Sequence, residues 1–286
     1  MAIRFVTDSA SDIEQNMRDD VTIIPLHICF GDNEFLDGVN MTHREFYERL
    51  IETDELPTTS QAAPYDFEEV LKQARIDGEQ VIIVTVSGKL SGTYQSACIA
   101  VQNYKDMAYV IDSENVTVGE RALIEYGLRL KDKGLDICTI VEMLETKKKQ
   151  IHMIALLDTL EYLKKGGRIS STVAAIGGMF SIKPVIAIKD GEIVVLGKAR
   201  GSKKGNNLLE EQITLTGGID FNMPYFLGYT GLDDTLIQKY MKDCEKLWKE
   251  STDELDIITV GGAIGTHAGP GAIAVAFFSS SCENNR

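Results

Sequence analysis

Apolar positions along the chain fall into two kinds of run, and their alternation predicts the architecture. Short stretches rich in β-branched residues, such as IRFVT at 3–7 and VIIVTV at 81–86, read as strands; longer segments with apolar residues three or four apart read as helices. Strands that alternate with helices build parallel sheets joined by crossovers, so the expected fold class is α/β. In the first half the expected strands are 3–7, 21–30, 81–86 and 108–111, with helices near 43–53, 65–77, 92–104 and 119–133. The helix ends carry matching signals: Thr42 with Glu45 spells a capping box, Pro64 suits a first helical turn, and Gly78 and Gly134 stand where helices stop.

After the helix expected at 137–150, whose Lys147–Lys149 end suits a helix C-terminus, the pattern changes. Strand 151–157 leads through a short helix and the loop KKGGR to strands 184–189 and 193–198, which flank Asp190-Gly191, a strong hairpin turn. Helix 206–216, strand 225–229, helix 235–249, strand 256–260 and strand 272–278 follow, and then a polar tail, 279–286. The expected division is therefore an N-terminal α/β domain, 1–150, with a mainly parallel sheet, and a C-terminal α/β domain, 151–286, with a mixed sheet.

Composition narrows the function classes. Apolar residues at 44% and charged residues at 25% are ordinary for a folded protein. Twenty-nine basic against forty-three acidic side chains leave a formal charge of −14, which repels nucleic acid and anionic membrane. No apolar run reaches the roughly 18 residues of a membrane helix, and MAIRFVTDSASD lacks the apolar stretch of a signal peptide; no stable membrane insertion and a cytoplasmic location are expected. The five cysteines are scattered with no Cys-x-x-Cys pair and read mostly as small core residues. Histidines 27, 43, 152 and 267 lie too far apart for metal-ligand spacing, so neither a metal nor another cofactor is expected.

Three polar turns carry candidate chemistry. In VIIVTVSGKLSGTYQSA, 81–97, a strand runs through a turn into a helix whose first backbone N–H groups, with Ser87, Ser91, Gly92 and Thr93, make an anion site. Ser91 could equally serve as a plain helix cap. A second loop, LPTTSQAAP at 56–64, offers Thr58, Thr59, Ser60 and Gln61, the alternative being an ordinary turn. A third expected loop, VGGAIGTHAGPGAIAV, places His267 among glycines that let backbone approach a ligand. Asp8-Ser9 after the first strand could reach the crevice, the alternative being a strand-end turn or cap. The three turns supply hydroxyls, amides and an imidazole but no carboxylate, which suits holding an anion better than activating a nucleophile. Neither a nucleophile elbow nor a nucleotide-binding glycine pattern is present. Two basic loops, Lys164, Lys165 and Arg168, then Lys198, Arg200, Lys203 and Lys204, stand out in so acidic a chain. They read either as solvated loops or as a docking patch for an acidic or phosphate-bearing partner.

Along nearly its whole length the chain resembles the DegV family of bacterial fatty-acid-binding proteins. The motifs that carry the resemblance are TDSASD at 7–12, PLHICF at 25–30, PTTSQ at 57–61, KLSGTYQSA at 89–97, DSENVTVGE at 112–120, LEYLKKGGRIS at 160–170, IKP at 182–184 and GTHAGPGA at 265–272. Ala62, Val86 and the segment Thr117-Val118-Gly119-Glu120 depart from the family's usual residues. The resemblance implies two α/β domains with a ligand crevice and tunnel between them, filled by a long-chain fatty acid. Its carboxylate is expected at Thr59, Ser60, Ser91, Gly92, Thr93 and His267. It also implies a partner, a separate ATP-dependent kinase subunit that makes an acyl phosphate for phospholipid synthesis, with Arg168, Arg200 and Lys203 facing that partner or the phosphate. No residue of the chain itself is then catalytic. A lipid-sensing regulatory protein, or a hydrolase using Ser91 and His267, are the alternatives.

Overall fold

Four runs of the N-terminal half form a parallel sheet in the computed structural model, which describes residues 1–14, 17–53, 55–170, 182–249 and 255–280. Residues 281–286 of the expected polar tail, with Cys282, lie outside the described residues. The sheet order is β2-β1-β6-β7, from β1 (Ile3–Asp8), β2 (Val21–Ile24), β6 (Gln80–Thr85) and β7 (Ala108–Asp112). Helices α2 (Pro64–Asp77), α3 (Thr93–Ala100), α4 (Val118–Asp132) and α5 (Ile137–Lys147) pack around it. The end signals act as read: Thr42 and Glu45 close a capping box on α1 (His43–Glu52), Pro64 opens α2, and Gly78 ends α2 with φ of 70°.

A second sheet is mixed, in the order β10-β9-β8-β13-β11-β12. It comprises β8 (Ile151–Leu156), β9 (Ile182–Lys189), β10 (Glu192–Arg200), β11 (Phe226–Tyr229), β12 (Ile257–Thr259) and β13 (Ile273–Phe278), antiparallel throughout except for β11 with β12. The β9–β10 hairpin turns at Asp190 and Gly191, with φ of 48° and 79°. Period-two alternation gives this sheet two apolar faces. Ile154, Leu156, Val185 and Val275 pack with Leu209 and Ile213 of α7 (Ser202–Leu215) and with Ile237 and Tyr240 of α8 (Thr235–Asp243). Met153, Ala155 and Ile186 turn the other way, into the main core. Helix α4, buried along nearly all of its length, lies between the two sheets, and Gly127 is where it meets β1: an added Cβ there would stand 2.7 Å from Phe5.

Several expected elements differ. Residues 21–30 form two strands rather than one, because Pro25 offers no N–H to a sheet and its fixed φ turns the chain. The second piece, β3 (His27–Phe30), joins an antiparallel three-stranded sheet with β4 (Asn33–Leu36) and β5 (Thr58–Ser60). The PTTSQ segment is thus partly a strand. The expected helix 235–249 divides at Cys244 into α8 and α9 (Glu245–Trp248). His267 sits on a helix, α10 (Gly262–Ala268), where a loop was expected. Of the cysteines expected inside, Cys244 is buried, Cys29 and Cys98 are half-buried, and Cys138 is exposed.

Candidate functional site

The inner face of the second sheet and the strand ends of the first line a cavity of about 110 Å³. Its walls are almost wholly apolar. The second sheet supplies Met153, Ala155, Ile186, Ile188 and Ile193, and the first half adds Leu26, Val86, Leu90 and Val116. Gly228 on β11 lets the strand pack closely, since an added Cβ would sit 3.0 Å from Val118 and 3.1 Å from Val260.

Polar groups also line this cavity: Thr59, Ser60, Gln61, Ser91, Arg168 and His267, together with Thr117, Tyr229 and Thr230. Strand β5 holds Thr59 opposite Ile28 of β3, and the hydroxyl stands 2.9 Å from Nε2 of His267, across 208 positions of chain. Asp8 positions the β6–α3 turn. Buried at the end of β1, its carboxylate accepts from the Ala10 and Val86 amides at 3.0 and 2.9 Å, which confirms it as a strand-end cap. Beyond Val86 the chain folds back, with the Leu90 and Ser91 amides donating to Ser87 O, and presents Ser91. Arg168 reaches the same turn, donating from Nε to Leu90 O at 3.1 Å and from Nη1 to Gly166 O at 2.7 Å.

Burial, and secondarily the nearby Arg168 charge, lowers the pKa of His267 to about 4, so the ring is neutral at pH 7. Its Nδ1 is buried without a hydrogen-bond partner. A buried N–H lacking an acceptor is the costlier orphan, so the favoured tautomer carries hydrogen on Nε2 and donates to Thr59 Oγ1. That leaves the Thr59 hydroxyl hydrogen free for an anion. Gly166 closes the back of the ring, for an added Cβ would lie 2.2 Å from Nδ1. Among the described lining residues Arg168 is the one formally charged side chain, and no carboxylate faces the cavity. Burial lowers the guanidinium pKa from its ordinary value, yet an arginine keeps its proton in a protein. A positive, donor-rich end joined to apolar walls accommodates an amphipathic anion.

Of the residues expected at this site, Thr59, Ser60, Ser91 and His267 line the cavity and Gly92 and Thr93 do not. Thr93 is fully buried and bonded to Ser91, its hydroxyl 2.9 Å from Oγ and its amide donating to Oγ at 3.3 Å, so Ser91 also acts as a helix cap. Gly92 lies under Gln61, whose Oε1 would be 1.8 Å from an added Cβ. Arg168, expected to face the partner or the phosphate, borders the cavity. Arg200 and Lys203 are exposed on β10 and α7 and do not line it. Gln61, one of the donors the second loop offered, lines the cavity, whereas Gly166 and Gly228 carry no local signal and only the packing reveals their roles. Among the described residues no group of His, Cys, Asp and Glu is placed to hold a metal, and no helix is long and apolar enough to cross a membrane.

The chain is thus an α/β protein whose two main sheets line a mostly apolar cavity with a donor-rich, positively charged cluster. The chain belongs to the DegV family: the family described as "Uncharacterised protein, DegV family" matches residues 2–280. A DegV domain-containing protein of Caldanaerobacter subterraneus subsp. tengcongensis is 35% identical over 280 residues, covering 96% of this chain and 98% of its relative. A fatty-acid-binding DegV family protein of Thermus thermophilus superposes with a TM-score of 0.86 at 28% identity, covering 98% of this chain and all of the other. The Streptococcus pneumoniae fatty acid kinase B3 protein, loaded with linoleic acid, shares the fold with a TM-score of 0.84 at 22% identity, covering 97% and 99% of the two chains.

Proposed function

We propose that the chain binds one long-chain fatty acid with its carboxylate at Thr59, Ser60, Ser91, His267 and Arg168, and presents it to a separate ATP-dependent fatty acid kinase. What carries the proposal is the pairing of a mostly aliphatic wall, which Thr117, Tyr229 and Thr230 interrupt, with a cluster of hydroxyls, an imidazole and a guanidinium on the same cavity. Each buried methylene contributes about 0.8 kcal/mol, so the tail supplies most of the affinity. Burying the carboxylate requires several donors at one place, and a charged donor strengthens them. The names of the Thermus and Streptococcus neighbours support a fatty acid as ligand, and the latter supports a kinase as partner.

In that reaction the γ-phosphoryl group of ATP moves to a carboxylate oxygen and leaves ADP, with the nucleotide held by the partner. Division of the chain near residue 150 fits this role, because the ligand then lies between two units, 1–150 and 151–286. Arg200 and Lys203, exposed and away from the cavity, would meet the kinase surface. A serine hydrolase is disfavoured by geometry: His267 pairs with Thr59, and Ser91 with Thr93. Mass spectrometry of the organic extract of purified protein tests the ligand, with one co-purifying fatty acid expected. An empty protein that also fails to take up added fatty acid would overturn the proposal. Acyl-phosphate formation on mixing with kinase and ATP tests the second half, and a loaded protein that is never phosphorylated would refute it.

A further inference from the structure

Helix α10 brings Ala263, Ile264, His267 and Ala268 to the cavity, yet it is seven residues long. So short a helix has little stability of its own, and its pose is dictated by what holds it. Its start is held by side chains from the first fifty residues. Tyr47 donates to Val260 O at 2.9 Å, the Gly261 amide donates to Asp12 Oδ1 at 2.8 Å, and the Gly262 and Ala263 amides donate to Asp37 at 3.0 and 3.2 Å. Both carboxylates are themselves fixed, Asp37 by the Ser9 hydroxyl at 3.0 Å and Asp12 by the Thr117 hydroxyl at 2.5 Å, and they are 2% and 4% exposed. Close contact completes the seat. An added Cβ on Gly262 would lie 2.5 Å from Ile28, and one on Gly265 would lie 2.6 Å from the Tyr47 hydroxyl.

Ala263 and His267 are four residues apart and therefore on one face, so a shift at the anchored amide moves the imidazole with it. We infer that Asp12 and Asp37 are positioning residues for the head-group end of the cavity, placing His267, and through it the Thr59 hydroxyl, by holding the first amides of α10. Neither carboxylate lines the cavity. The consequence for affinity rests on the fatty-acid proposal, whereas the placement of the ring does not.

Two variants test this from different sides. Asp37→Asn puts an amide NH₂ in place of one accepting oxygen. Gly261→Ala keeps both carboxylates but sets a methyl 3.0 Å from Asp12 Oδ1, 3.3 Å from Asp37 Oδ2 and 2.9 Å from His43 Nε2, at φ of −71°, which alanine adopts without strain. The readouts are the ¹⁵N resonances of the His267 ring in ligand-free protein, assigned with His267→Gln, and the affinity for palmitate. Leu209→Ala, a fully buried change on the far face of the second sheet, controls for lost stability. Expected are shifted ring resonances and about tenfold weaker palmitate binding in both variants, with neither change in the control. Wild-type resonances in Gly261→Ala, which retains the carboxylates if Asp37→Asn fails to fold, would overturn the inference. If wild-type protein binds no palmitate, the proposed function fails, and the ring resonances alone still decide the positioning.

Discussion

Replacing Gly166 by alanine adds one methyl group and should cost the protein much of its ligand affinity. The backbone there, with φ of −74° and ψ of −6°, suits alanine, so the local conformational term favours the variant by about 0.5–1 kcal/mol. The methyl, however, would fall 2.2 Å from Nδ1 and 2.8 Å from Cε1 of His267. Ordinary contact between such atoms begins near roughly 3.5 Å, so the ring must move by about 1 Å. A displacement of that size breaks the 2.9 Å bond to Thr59 and leaves its hydroxyl unoriented. Losing one hydrogen bond to a charged group is worth about 1.5–3 kcal/mol, which corresponds to about ten- to a hundredfold weaker binding. Calorimetric titration with palmitate measures it. The neighbouring Gly167→Ala supplies the contrast: its Cβ meets nothing within 4 Å, but φ of +71° strains alanine by about 1–2 kcal/mol. That variant should melt earlier and bind as wild type. Unchanged affinity in Gly166→Ala, or equal loss in Gly167→Ala, would refute the placement of the imidazole.

The depressed pKa of His267 sets a pH window. As pH falls from about 6.5 to about 4 the unfolded chain takes up a proton that the folded ring refuses, so the stability associated with His267 is present above the window and lost below it. Urea melts should show the gap between wild type and His267→Gln narrowing toward pH 4; a gap that stays constant would contradict the neutral, buried ring. Ser91→Ala combined with His267→Ala should weaken fatty-acid binding while leaving the circular dichroism spectrum intact, and unchanged affinity would remove both from the head-group site. Arg200→Ala should bind fatty acid normally but be phosphorylated more slowly by the kinase; full turnover would return Arg200 to the solvated surface.

Short-range signals were legible in the sequence because their physics spans a few residues. Alternation of β-branched runs with helical periods named the α/β class, Thr42 and Glu45 formed the cap they spelled, and Asp190-Gly191 made its turn. Three of the polar segments were recognisable as donor-rich from composition, and Thr59, Ser91 and His267 do line one cavity. What the tertiary structure decided are the conformations and directions that depend on distant partners. Residues 58–60 became a strand because β3 offered an edge, and 262–268 became a helix because Asp37, more than 200 positions away, accepts its first amides. Arg168 borders the cavity because Leu90 O and Gly166 O receive its donors. The glycine at 166 looked like loop punctuation, and only packing shows it as the back wall of an imidazole. Local propensity is encoded within a turn or two of chain, whereas convergence of groups 208 positions apart is a property of how the buried faces stack.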